Sequence, residues 1–159
     1  MPDRMPDRMP GRRRHVPNSR AVAAAMLLAP ILLGAAPVGR LEVTVDGVRS
    51  AKGSLRLCLT ADPANFPACV DDTEAVTRSV PAGTRQISVD GLPHGAYALA
   101  IIHDENNNAR LDTLVGIPRE GFGFSRNPAL RLGPPRFAAA RFVTRSDAER
   151  QQVQMHYIL

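Results

Sequence analysis

Residues 103–112 read HDENNNARLD and bring three carboxylates, three carboxamides and one imidazole into ten positions. Oxygen donors at this density suit a hard divalent cation. Counted as a calcium loop, Asp104, Asn106 and Asn108 take positions 1, 3 and 5, the Arg110 backbone carbonyl takes position 7, and Asp112 falls at 9. The alternate spacing matters because a loop winding round an ion turns every second oxygen inward. Two departures weaken the pattern. Ala109 stands where the sharp turn wants glycine, at a strain of roughly 1 kcal/mol, and Val115 replaces the bidentate glutamate of position 12. Glu120 is placed to fold back and supply it. With two assured carboxylates, the expected Ca²⁺ affinity is that of extracellular modules, ~0.1–1 mM. A second reading needs no ion. In an Asx-rich turn the Asn and Asp side chains bond their own backbone and tolerate left-handed conformations. Both readings stand at this point.

His103 beside Asp104 and Glu105 raises a third chemistry, a metal-dependent enzyme. Adjacent strand residues point to opposite faces, so His103 and Asp104 are not expected to share one ion. His103 is expected to hydrogen-bond the loop or the GFGFS segment. No G-x-S-x-G, no H-E-x-x-H and no Ser/His/Asp group at informative spacing occurs, so no catalytic residues are assigned. Phe122 and Phe124 alternate with glycine in EGFGFS. Together with His103 and Glu120 they form the candidate ligand surface, or the two rings close one end of the core.

The elements that must position these residues repeat every second residue. LEVTVDGV, GSLRLCLT, EAVTRSV, RQISVDGL, GAYALAIIH, RFAAARFVT and VQMHYI give seven short strands separated by Gly, Pro, Asp and Asn clusters. That pattern predicts an all-β, mostly antiparallel Ig-like or prealbumin-like sandwich. Residues 104–135 form one long Gly/Pro-rich loop, and loops of that length carry function or are well packed. A helical turn or two is expected only near 146–151, where SDAE offers a cap. In SLRLCLT the leucines alternate inward, which turns Arg56 and Cys58 to the other face. Cys69 lies eleven residues on, beyond LTADPANFPA, and the two are expected to form a disulfide worth about 3 kcal/mol. No further Cys or His pair stands at zinc-ligand spacing.

Residues 1–36 differ in kind. MPDRMPDRMPGRRR is an imperfect repeat, RRRHVPNSR is a basic stretch, and AVAAAMLLAPILLGAA is apolar and ends in small residues. That is the anatomy of a secretory signal peptide cleaved before Pro37. An apolar run of 16 residues falls short of the ~20 that span a bilayer, so contact with the membrane is expected only during export. The expected mature domain is 37–159, periplasmic or secreted, a compartment that permits disulfides. Six of the 20 basic and two of the 15 acidic residues lie in 1–36, which leaves 14 against 13 and a net charge of +1. The nucleic-acid reading that a basic pI invites is thereby excluded.

Two resemblances sharpen this. GLPHGAY (91–97) resembles the hairpin of prealbumin-like and carboxypeptidase-regulatory-like sandwiches, which implies a packing role for Tyr97 with a satisfied hydroxyl. HDEN-N-LD, GIP-EG-GFS and GPP-F resemble the exported bacterial family known as domain of unknown function 2141 over most of 40–158. The resemblance implies export and a small β-sandwich and brings no activity with it. The functional expectation is therefore an envelope binding or structural module for an unidentified envelope ligand or protein, its Asp/Asn loop a candidate for ordering by Ca²⁺. The alternative is a metal-dependent periplasmic enzyme using His103, Asp104 and Glu105.

Overall fold

The computed structural model describes residues 37–131, 133–145 and 147–159. The expected signal peptide and the repeat before it lie outside them. Among the described residues no helix is long and apolar enough to cross a membrane.

The chain is almost all β. One sheet has the order β10-β1-β4, from β1 (Val38–Asp46), β4 (Gln86–Pro93) and β10 (Ala148–Gln154). The other runs β3-β2-β5-β8, from β2 (Ser54–Thr60), β3 (Val76–Pro81), β5 (Gly95–Asp104) and β8 (Gly121–Phe124), and β9 (Phe142–Thr144) pairs with the start of β5. β6 (Thr113–Leu114) and β7 (Ile117–Pro118) form a small separate hairpin. Pairing is antiparallel except where β10 runs parallel to β1.

Strict period-two alternation builds the core. Leu41, Val43 and Val45 of β1, Leu55, Leu57 and Leu59 of β2, Ile87 and Val89 of β4, Leu99 and Ile101 of β5, and Val153 of β10 form one buried cluster joining the two sheets. Each such aliphatic side chain contributes about 1.5–3 kcal/mol on burial. The opposite face of the second sheet carries a smaller cluster. There Cys58, Ala100 and Phe124 form one cross-strand row, and Arg56, Ile102 and Phe122 form the next. Phe66, Phe137 and the disulfide cover part of it.

Four expectations change. GLPHGAY is not a hairpin: β4 pairs with β1 while β5 pairs with β2, so the stretch is a corner carrying the chain from one sheet to the other. Gly91, at φ +70°, enters it, and the Tyr97 hydroxyl donates to the Pro93 carbonyl at 3.0 Å. The packing role expected of Tyr97 holds: it lies against the core and 6.5 Å from Phe142. RFAAARFVT is strand only at its end. After Pro134 and Pro135 the alanines complete one helical turn, α1 (Phe137–Ala140), which buries Ala140. Of the stretch near 146–151 expected to be helical, 148–151 lie instead in β10, because Gln151 and Val153 face inward at strand spacing. Finally, the long loop contains β6, β7 and β8.

β8 explains the glycine–phenylalanine alternation. A Cβ on Gly123 would lie 2.7 Å from Val153 Cγ1 and 2.8 Å from the Gln154 carbonyl, and one on Gly121 would strike the Tyr157 ring at 2.4 Å. The glycine face thus lets the C-terminal segment approach, and Phe122 and His156 exchange backbone hydrogen bonds there. Asn127 continues the contact, donating to the Gln152 carbonyl and accepting from the Gln154 N–H. Ser125 closes the strand, its hydroxyl 2.6 Å from the Ala140 carbonyl.

Candidate functional site

β5 delivers His103 and Asp104 fully buried at its end. His103 Nε2 lies 2.7 Å from the Lys52 carbonyl and Nδ1 lies 2.7 Å from the Tyr157 hydroxyl. A carbonyl only accepts, so Nε2 carries the proton and, in the neutral ring, Nδ1 accepts from Tyr157. The imidazole is a structural tie between the β2 approach, β5 and the C-terminal segment.

Asp104 faces the loop. Its two oxygens accept the N–H groups of Asn108 at 3.0 Å and Ala109 at 2.8 Å. Asn106 Oδ1 also accepts from the Asn108 N–H, and Asn108 Oδ1 accepts from the Arg110 N–H. The amides of Asn106 and Asn108 donate to Asp112 at 2.7 and 2.8 Å. These bonds, Asn108 first, hold the Asp112 carboxyl below its ordinary range. Glu120 does fold back, as its position suggested, but onto backbone: it accepts from the Glu105 N–H at 2.9 Å and the Asp112 N–H at 3.0 Å. Ala109 takes the left-handed conformation at φ +68°, where its missing glycine was expected to matter. The hydrogen bonding is that of an Asx-rich turn. Among the described residues no group of three or more His, Cys, Asp or Glu side chains is arranged to hold a metal ion.

Glu105 takes another direction. It pairs with Arg49, whose hydrogen bond is the main force depressing the Glu105 carboxyl and raising the guanidinium. Arg49 also donates to the Leu159 and Arg119 carbonyls and lies 4.5 Å from the Tyr157 ring centroid. Sequence reasoning missed this arginine, because four segments distant in the chain meet on it. His103, Asp104 and Glu105 thus have separate partners.

His103, Glu120, Phe122 and Phe124 were expected as a ligand surface, and all four are buried. Phe122 and Phe124 lie in β8, which pairs with β5, while His103 belongs to β5 itself and Glu120 folds onto the Glu105 and Asp112 backbone. Two of them remain next to solvent-accessible space. A groove of about 780 Å³ lies along the outer face of the second sheet. Arg56, Cys58, Ala100, Ile102, Phe122 and Phe124 belong to its floor by register. Its walls come from the Cys58–Cys69 loop and its flank (Pro67, Ala68, Val70), from the end of the Asp/Asn loop and the β6–β7 hairpin (Arg110, Leu111, Pro118), and from Leu130, Arg131 and Pro134. The disulfide is present as expected, with Cα atoms 5.7 Å apart, and its loop supplies one wall.

The wall residues are unusual for a surface. Val70, Leu130 and Ile158 are 78%, 42% and 55% exposed, and all three border the groove. Arg56, Arg110 and Arg131 also line it. No Asp or Glu is among the described lining residues, and the three guanidinium groups make no ion pair or hydrogen bond among the described residues. Arg78 lines it too, but its register opposite Leu57 puts it on the other face of β3.

A family model described as an uncharacterized protein conserved in bacteria, domain of unknown function 2141, matches residues 43–152. The chain belongs to this family. The matched span holds both sheets, the Asp/Asn loop and most of the groove. No curated protein and no solved structure matches the chain.

Proposed function

We propose that this family member is an extracytoplasmic binding module and that its ligand occupies the groove on the outer face of the β3-β2-β5-β8 sheet. One observation carries the proposal: exposed aliphatic side chains and an apolar sheet face border a single groove of about 780 Å³. That size is typical of small-molecule sites, and exposed apolar residues that cluster mark interaction surfaces. The signal-like sequence of 12–36 and the disulfide support export to the periplasm or beyond. The Asx loop then serves as a stiff support that fixes the end of β5 and the adjoining wall residues Ala109, Arg110 and Leu111.

The metal-dependent enzyme has less support, because His103, Asp104 and Glu105 are each engaged elsewhere and none lines the groove. The module reading is tested with a neutral apolar fluorophore such as N-phenyl-1-naphthylamine, titrated into the oxidised protein. Saturable enhancement at one site per chain is expected, and Val70→Asp with Leu130→Asp should abolish it while the melting midpoint stays within a few degrees. Enhancement that is non-saturable, or indifferent to both substitutions, would remove the groove as the site.

A further inference from the structure

We infer that the groove selects a free, single-chain amphiphile with an oxyanion head group. The inference rests on the module reading and adds the chemical class of its ligand. It follows from how the two kinds of lining residue are distributed. The apolar part is continuous in the sheet: Ala100 and Phe124 neighbour one another across β5 and β8, as do Ile102 and Phe122. Val70, Leu130 and Ile158 extend it into the walls. An extended hydrocarbon chain is the complement of such a strip, since each methylene it buries contributes about 0.8 kcal/mol.

The charged part has one sign. Arg56 stands in the floor beside Ile102, paired across from Ser79 on its other side. Arg110 and Arg131 stand in the walls. Among the described residues three arginines are ion-paired, Arg40 with Asp90, Arg49 with Glu105 and Arg150 with Glu42, whereas the groove arginines belong with those that make no ion pair. Asp112 feels the charge of Arg110, but it is not a lining residue and its oxygens are taken by Asn106 and Asn108. A guanidinium presents a planar fork of donors that matches carboxylate or phosphate oxygens. Three of them at the margin of an apolar strip, with no acid among the described lining residues, complement a molecule that is apolar along its length and anionic at one end. A neutral hydrocarbon would leave this charge unused, and a cationic amphiphile would be repelled.

The experiment displaces the neutral fluorophore with dodecanoate and with its uncharged methyl ester, both below their aggregation thresholds. Dodecanoate is expected to compete at least tenfold more strongly than the ester. Arg56→Gln and Arg131→Gln should each reduce that advantage three- to tenfold, leave ester competition unchanged and leave the fluorophore bound. The advantage should also shrink in high salt, as expected for partly exposed charges. Equal competition by both compounds, or an advantage that survives the double arginine variant, overturns the inference and leaves the groove reading in place. Failure of both compounds to displace a groove-bound fluorophore also overturns it. Absence of any groove-dependent fluorophore signal is distinct and removes the module reading itself. Arg131 is exposed, Arg56 is half-buried, and neither makes an ion pair among the described residues, so neither variant is expected to alter folding.

Discussion

The Asp/Asn loop and the outer-face groove lie close together and solve opposite problems. In the loop every strong acceptor is engaged within the chain: Asp104 holds two backbone N–H groups, Glu120 holds two more, and Asp112 holds two side-chain amides. In the groove the strong donors, Arg56, Arg110 and Arg131, have no such partners among the described residues, and the apolar side chains beside them meet solvent. The segment that looks most like a ligand site is thus internally complete, and the one that looks like ordinary strand and loop is not. Richness in polar atoms is a poor guide to binding, because what attracts a ligand is the surplus left after the chain has bonded itself.

The largest expected effect tests how complete the loop is. Asp104→Ala strips the Ala109 N–H of its acceptor and leaves the Asn108 N–H only Asn106 Oδ1, which should cost about 1–3 kcal/mol, read from urea unfolding at constant m-value. A loss under about 0.5 kcal/mol would show that water replaces the carboxylate and that the loop is not self-contained. Arg131→Gln, from the groove, should by contrast stay within about 0.5 kcal/mol of the parent, as surface changes do.

Acid should act on the loop end before it acts on the groove, which holds no described acid. The Glu105 and Asp112 carboxyls are depressed, by Arg49 and by the two asparagines respectively. A carboxyl whose folded pKa lies below its unfolded value stabilises fully above the unfolded value, and that contribution disappears as pH falls through the folded one. Stability should therefore be flat from pH 7 to about 5 and decline below about 4. Glu105→Gln should flatten part of the decline, as followed by melting at a series of pH values. An unchanged pH profile in that variant would contradict the role of the Arg49 pair.

A smaller effect of opposite sign is expected at Ala109. Its φ of +68° penalises a Cβ, so Ala109→Gly should raise stability by about 0.5–1 kcal/mol, the relieved strain exceeding the added freedom of the unfolded chain. A loss would mean that the left-handed turn carries little strain.

The smallest response should be to calcium. A site of ~0.1–1 mM affinity would be well populated at about 10 mM Ca²⁺ and would stabilise the fold by roughly 1.4–2.7 kcal/mol, or several degrees of midpoint. Because the loop's oxygens already hold its backbone, a shift below about 1 °C is expected. A rise of several degrees that Asp112→Asn removes would reverse the comparison and make the loop the binding element.

Much of this protein is settled by local sequence. Alternating Leu and Val at period two specifies which face of β1, β2 and β4 is buried, since a one-residue slip would expose the whole set. The same alternation turns Cys58 outward, and the spacing to Cys69 suits a disulfide. Asn and Asp at alternate positions mark a loop whose side chains can bond nearby backbone, which leaves an Asx turn and a calcium loop both open. The family pattern is likewise written in HDEN, GIP-EG-GFS and GPP. The rest was decided by contacts between segments far apart in the chain. GLPHGAY reads as a hairpin, but β1 and β2 compete for β4 and β5 and draw them into different sheets. EGFGFS reads as loop because glycine weakens strand propensity, yet its glycine face is what Val153 and Tyr157 need in order to pack. SDAE reads as a helix start until β1 offers a parallel partner. The groove had no local signal at all. Its floor is one face of four strands and its walls are three separate loops, so only the tertiary structure brings Arg56, Arg110 and Arg131 to one apolar surface.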